Sequence, residues 1–205
     1  MNIKMDPMGR AIANYWKTKT ADRLRVFSPM FEEDEIPMTV LFRKYKAMPE
    51  IEGKALDMAT GKTLDVGAGA GCHSLVLQEK GIDVTAIDIS PLSVETMKER
   101  GVKKVKEQDF FTLEGQSSDI SYVFEGEDGM IDIPDEMEYY GEHSFRMQYK
   151  DTIGEPFYWL YIDADTLKEK AAKNGYAVEV VAEGEHYDYL ARIKKQVLSG
   201  VEEVK

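Results

Sequence analysis

From Lys62 to Gln108 the chain alternates short β-prone runs with amphipathic stretches, and this alternation limits the fold more than any other feature. Thr63-Leu64-Asp65-Val66 reads as a strand ending in a glycine-rich turn, and Cys72 to Lys80 as the helix after it, stopped by Gly81. Asp83 to Asp88 predicts a second strand. Ser90 and Pro91 start a helix through Arg100 that closes at Gly101. Lys103 to Gln108 predicts a weaker third strand leading to Asp109-Phe110-Phe111. Strand, helix, strand, helix, strand at this spacing requires right-handed crossovers and a parallel sheet. The expected fold class is α/β, with a doubly wound, mainly parallel sheet.

The flanks differ in texture. Residues 1–60 predict an N-terminal helical cap on a main domain of residues 61–205. Met8, Ala11, Ile12, Tyr15 and Trp16 recur at three- and four-residue spacing, which places them on one helix face. Glu32-Glu33-Asp34-Glu35 ahead of Pro37 reads as a solvated helix entry. Met38, Leu41, Phe42 and Tyr45 continue the stripe to Pro49, and a third helix is expected from Glu50 to Thr60. Tyr122 to Tyr161 holds nearly half of the chain's aromatics. Its alternation at Ser144 to Tyr149 predicts antiparallel strands joined at Gly154, an insertion over about 120–162. Asp165 is the expected N-cap of a helix through Lys173. Tyr176 to Ala182 and His186 to Ile193 then predict a closing hairpin.

Leu64-Asp65-Val66-Gly67-Ala68-Gly69-Ala70-Gly71 is the most informative stretch. Glycines on alternate positions at a strand end let the backbone approach a ligand and offer it N–H groups. A dinucleotide turn, G-x-G-x-x-G, would need its third glycine at position 72, which is Cys72. The phosphate-binding Gly-Lys-Ser/Thr is also missing. The acidic-x-Gly-x-Gly-x-Gly form resembles the first motif of the class I S-adenosylmethionine-dependent methyltransferases, and so implies a Rossmann-like fold and S-adenosyl-L-methionine as cofactor. By that resemblance Gly67, Gly69 and Gly71 line the methionine and ribose portion, and Asp65 helps orient the methionine amino group. Asp88, with Ile89 beside it, receives the ribose hydroxyls. Asp109 and the apolar Phe110 lie against the adenine. A sulfonium cation carrying an ammonium and a neutral sugar suits acidic strand ends.

Other residues carry weaker signals. Tyr15, Trp16, Tyr139 and Tyr140 lie outside the common sheet, where this family keeps its acceptor specificity, and are candidates for the acceptor pocket. Cys72 reads as a packing residue, His73 as a packing or surface residue, and His186 with Asp188 as sheet packing. Glu142, His143 and Asp151 have no metal-specific spacing, so no metal site is expected. No general base can be chosen. A net charge of −12 argues against nucleic acid and anionic membrane as partners. No apolar run approaches the ~18 residues of a membrane span, and the N-terminus has no secretory stretch. With one cysteine, a cytoplasmic protein is expected.

The pattern breaks after Phe111. The family places a fourth strand, a helix and a fifth strand there, but only Thr112 to Gln116 precede Ser117. The shortfall is on the order of forty residues. Three explanations compete: a stretch left out between Phe111 and Ser117, a genuine deletion, or a gap filled by a second subunit in a homodimer. The first is preferred, and it predicts a backbone break between Phe111 and Ser118. The expected function is methyl transfer from S-adenosylmethionine to a small-molecule acceptor. The alternatives are a protein that binds the cofactor without turnover, and a nucleotide- or NAD-binding enzyme.

Overall fold

The computed structural model of the 205-residue chain describes residues 3–110, 124–125, 141–184 and 188–196. Helix α1 (Pro7–Thr18) is followed by strands β1 (Leu24–Phe27) and β2 (Asp34–Ile36), one turn of helix α2 (Met38–Leu41) and helix α3 (Glu50–Met58). The alternating region gives β3 (Lys62–Val66), α4 (Cys72–Glu79), β4 (Asp83–Asp88), α5 (Pro91–Glu99) and β5 (Val105–Glu107). Beyond it come β6 (Phe124–Glu125), β7 (Glu142–Tyr149), β8 (Thr152–Ile153), β9 (Phe157–Leu160), α6 (Ala164–Lys173), β10 (Tyr176–Glu183) and β11 (Asp188–Lys195). The chain divides into two compact units, Met1–Ser118 with Ile133–Leu160, and Asp119–Asp132 with Tyr161–Lys205.

The first unit contains the expected parallel sheet, in the order β3-β4-β5, with Asp65 level with Ala86 and Asp88 level with Glu107. Both crossover helices start and stop where local chemistry dictates. Gly71 caps α4 with φ 76°, and the Ser90 hydroxyl caps α5 by accepting from the Ser93 N–H, with Pro91 in the first turn. Val84 and Ala86 share one face of β4. Ala86 packs with Val94, Met97 and Val102, and Val84 with Leu56, Val76 and Leu77. Three strands of this sheet are present among the described residues. Residues 111–118, where a backbone break is expected, lie outside them.

Residues 1–60 depart from the helical expectation. Leu24–Phe27 and Asp34–Ile36 are strands, and β1 pairs with β7 on its other side, Leu24 opposite Tyr149. The acidic run is not a helix entry: Glu33 and Glu35 pair across the hairpin with Arg25 and Arg23. Such short strands draw their pairing from residues remote in sequence, which local periodicity does not register. The hairpin and the aromatic insertion thus form one five-stranded antiparallel sheet, β2-β1-β7-β8 with β9 also on β7. Along β7 the odd-numbered residues are buried, as the alternation predicts. The turn after it is made by Lys150 (φ 52°) and Asp151, not by Gly154.

In the second unit β10 and β11 form the expected hairpin, extended by β6 against β11. The cap of α6 is Asp163, two residues before the expected Asp165, because the Asp163 carboxylate accepts from the N–H groups of Asp165 and Thr166. Tyr189 is buried and donates its hydroxyl to the Ile162 carbonyl at 2.6 Å.

Candidate functional site

The glycine turn sits at the carboxyl ends of β3 and β4, the edge at which open α/β sheets bind ligands. The Ala68 N–H donates to the Ile87 carbonyl at 3.1 Å, tying the turn to the neighbouring strand. Gly69 has φ 55° and directs its N–H at Asp88 Oδ2, 2.9 Å away. The Ser90 N–H donates to Asp88 Oδ1 at 2.8 Å. A carboxylate offers about four acceptor positions, so two remain, one on each oxygen. At Gly67 an added Cβ would meet nothing within 4 Å, which leaves the turn open on that side. At Gly71 a Cβ would press on Met97 and Val102 at 3.0 Å, so this glycine closes the turn onto α5.

Asp65 and Asp6 near the turn are buried, and Asp88 is half-buried. Asp65 is 3% exposed and accepts from the Ser74 hydroxyl at 2.6 Å. Burial raises the Asp88 carboxyl above its ordinary value, and the Asp6 and Asp65 charges add to this, against the pull of the Ser90 and Gly69 N–H groups. On the other side of the turn His73 Nε2 lies 3.0 Å from Glu52 Oε2, and Arg43 pairs with the same carboxylate. Burial works against a charged His73, but its hydrogen bonds to Cys72 and Glu52 outweigh it and push the imidazole up to about 10. Arg100 donates to the Ala70 carbonyl and stands 4.5 Å over the Phe42 ring. Two buried carboxylates, Asp6 and Asp65, two acceptor positions left on a half-buried, fixed Asp88 and an open glycine turn fit a ligand that combines a cationic centre with a pair of hydroxyls.

Asp65, Gly67, Gly69, Gly71 and Asp88 lie together at the carboxyl ends of β3 and β4. Ile89 follows Asp88 and is 48% exposed. Asp109 is exposed two residues beyond β5, and Phe110 is half-buried. Tyr15 and Trp16 pack on Phe42, with ring centroids at 4.8 and 6.3 Å, and reach the turn through Phe42, Arg100 and Ala70. Tyr139 and Tyr140 lie outside the described residues. Sequence reasoning missed Asp6, which is fully buried and accepts from the Ser90 hydroxyl at 2.6 Å. It also missed the aromatic group on the antiparallel sheet. Phe31 stands edge-on to His143, while Phe145, Phe157 and Trp159 gather across β7 and β9. The only available signals were Asp6-Pro7 as a helix start and the alternation of β7.

Comparison with known proteins gives this geometry a family. The family described as "Methyltransferase domain" matches residues 64–128. No curated protein matches the chain. A solved S-adenosylmethionine-dependent methyltransferase from Bacteroides fragilis, in complex with S-adenosyl-L-homocysteine, is 45% identical. That match has a TM-score of 0.85 and covers 96% of this chain and 98% of the other, so the two are nearly equal in length. The DhpI–SAH complex (13% identity, TM-score 0.56, 95% and 97% covered) shares the fold. So does the PH0226 protein from Pyrococcus horikoshii OT3 (16%, 0.51, 71% and 89%). With the glycine turn flanked by Asp65 and Asp88 and a relative of this identity over nearly its whole length, the chain belongs to the S-adenosylmethionine-dependent methyltransferases, and S-adenosyl-L-methionine is its cofactor.

Proposed function

We propose that the protein transfers a methyl group to a small-molecule acceptor with an apolar or aromatic body. One observation carries this reading. Met147 and Tyr149 on the inner face of β7 belong to the same buried cluster as Ala70 of the glycine turn, and that face runs on to Phe145 and His143. There it meets Phe157 and Trp159, which stand directly opposite on β9, and Phe31. Phe31 and Trp159 remain 47% and 41% exposed, an aromatic wall of the kind that receives a flat or apolar ligand. The net charge of −12 disfavours a nucleic-acid acceptor. No helix among the described residues is long and apolar enough to cross a membrane.

When bound, the cofactor supplies a methyl group on a positively charged sulfur. The chain's part is to hold and align it. On this reading Asp88, with Ile89 beside it, takes the ribose hydroxyls on its two remaining acceptor positions. Asp65 orients the methionine amino group, and Gly67, Gly69 and Gly71 let the cofactor lie against the backbone. Asp109 and Phe110 flank the adenine. Tyr15 and Trp16, together with Tyr139 and Tyr140, complete the acceptor side. Alignment of acceptor, methyl and sulfur in a water-poor pocket supplies most of the rate enhancement.

A second reading, cofactor binding without turnover, is favoured by the five residues between Phe111 and Ser117. One assay separates the two. The protein is incubated with S-adenosylmethionine and, in separate arms, pooled small aromatic or apolar metabolites, RNA and cell protein. S-adenosylhomocysteine and the methylated acceptor are then followed by mass spectrometry. The proposal expects product in the small-molecule arm. Product only with RNA or protein would overturn it, and binding with no product in any arm would establish the second reading.

A further inference from the structure

We propose that Asp6 is a positioning residue for Asp88, acting through Ser90. The inference rests on the reading that Asp88 receives the ribose hydroxyls. The chain of contacts is short, and its links through Asp6 and the Ser90 hydroxyl are buried. Asp6 Oδ1 accepts from the Gly9 N–H at 2.7 Å, which caps α1, and Asp6 Oδ2 accepts from the Ser90 hydroxyl at 2.6 Å. The same hydroxyl accepts from the Ser93 N–H at 3.0 Å and caps α5, while the Ser90 N–H holds Asp88 Oδ1. Ser90 is therefore fixed on three sides, and its backbone N–H is aimed at the oxygen that defines the orientation of Asp88. Asp6 is 0% and Ser90 4% exposed.

Two features distinguish this from an ordinary helix cap. A cap needs one carboxylate oxygen for its own helix, yet here the second oxygen is spent on the cap of another helix. Gly9 makes the approach feasible, because a Cβ at that position would overlap both the Asp6 carboxylate and the Ser90 hydroxyl. The arrangement also brings a second carboxylate close to Asp88, and the Asp6 charge raises the Asp88 carboxyl further. A helix cap alone has no use for that cost. For a cationic cofactor the added negative charge is favourable.

A double-mutant cycle on the full chain tests the inference, with S-adenosylhomocysteine binding read by calorimetry. Asp6→Asn keeps the α1 cap, since the amide oxygen still accepts from Gly9, but turns an N–H toward Ser90 and removes its acceptor. Asp6→Asn is expected to weaken binding about tenfold in the wild-type background and less than about twofold in Asp88→Ala. Thermal denaturation without ligand, run alongside, shows whether the variant folds. Ser90→Ala gives the same cycle if Asp6→Asn does not fold. Wild-type affinity in Asp6→Asn, or equal weakening in both backgrounds, would overturn the positioning role. Wild-type affinity in Asp88→Ala would remove the reading beneath it, and the inference with it.

Discussion

His73 sits in the first turn of α4 with its Nε2 3.0 Å from Glu52 and its ring held charged up to about pH 10. Its folded value lies above the ordinary 6.5, so the charged ring stabilises the fold fully below pH 6.5. That contribution is lost as pH rises through about 10. The expected slope is below about 1.4 kcal/mol per pH unit. Thermal denaturation across this window should show the wild type losing stability faster than His73→Gln, and parallel curves would contradict the assignment. Single residues also show what the sequence can carry. Asp65 and Asp88 were legible because motif spacing places them at strand ends. Asp6 was not. In the sequence it is only an aspartate before a proline, and its role depends on α1 packing against α5.

At the scale of elements, the glycines of α1 and α3 make opposite predictions. In α1, Gly9 touches the Asp6–Ser90 pair, so Gly9→Ala should push α1 from α5 and cost about 1–3 kcal/mol. In α3, a Cβ at Gly53 meets the Tyr45 side chain at 3.6 Å, an ordinary contact. Gly53→Ala should therefore stabilise by ~0.5–1 kcal/mol through helix propensity. Urea denaturation of both variants checks the signs, and a shared direction would contradict the packing described. The elements from β3 to β5 were legible within a residue or two, because Gly71, Gly81, Ser90-Pro91 and Gly101 punctuate them locally. The β1–β2 hairpin was not legible. Its three- and four-residue strands are completed by β7, far along the chain, and its acidic run acquires meaning only opposite Arg23 and Arg25.

Over the whole molecule, the acidic balance and the site point the same way. A chain of net charge −12 keeps two of its carboxylates, Asp6 and Asp65, buried near the glycine turn, a field that favours a cationic small molecule over a polyanion. The central claim is that Asp88 holds the cofactor's ribose at this turn. S-adenosylhomocysteine keeps the ribose hydroxyls and lacks the sulfonium charge, so it isolates that contact. Calorimetric titration of S-adenosylhomocysteine into the wild type and Asp88→Ala is the most direct measurement. The account predicts binding by the wild type, weakened about 30- to 150-fold in Asp88→Ala, or ~2–3 kcal/mol, with an unchanged far-ultraviolet spectrum. Equal affinity in the two proteins would contradict it.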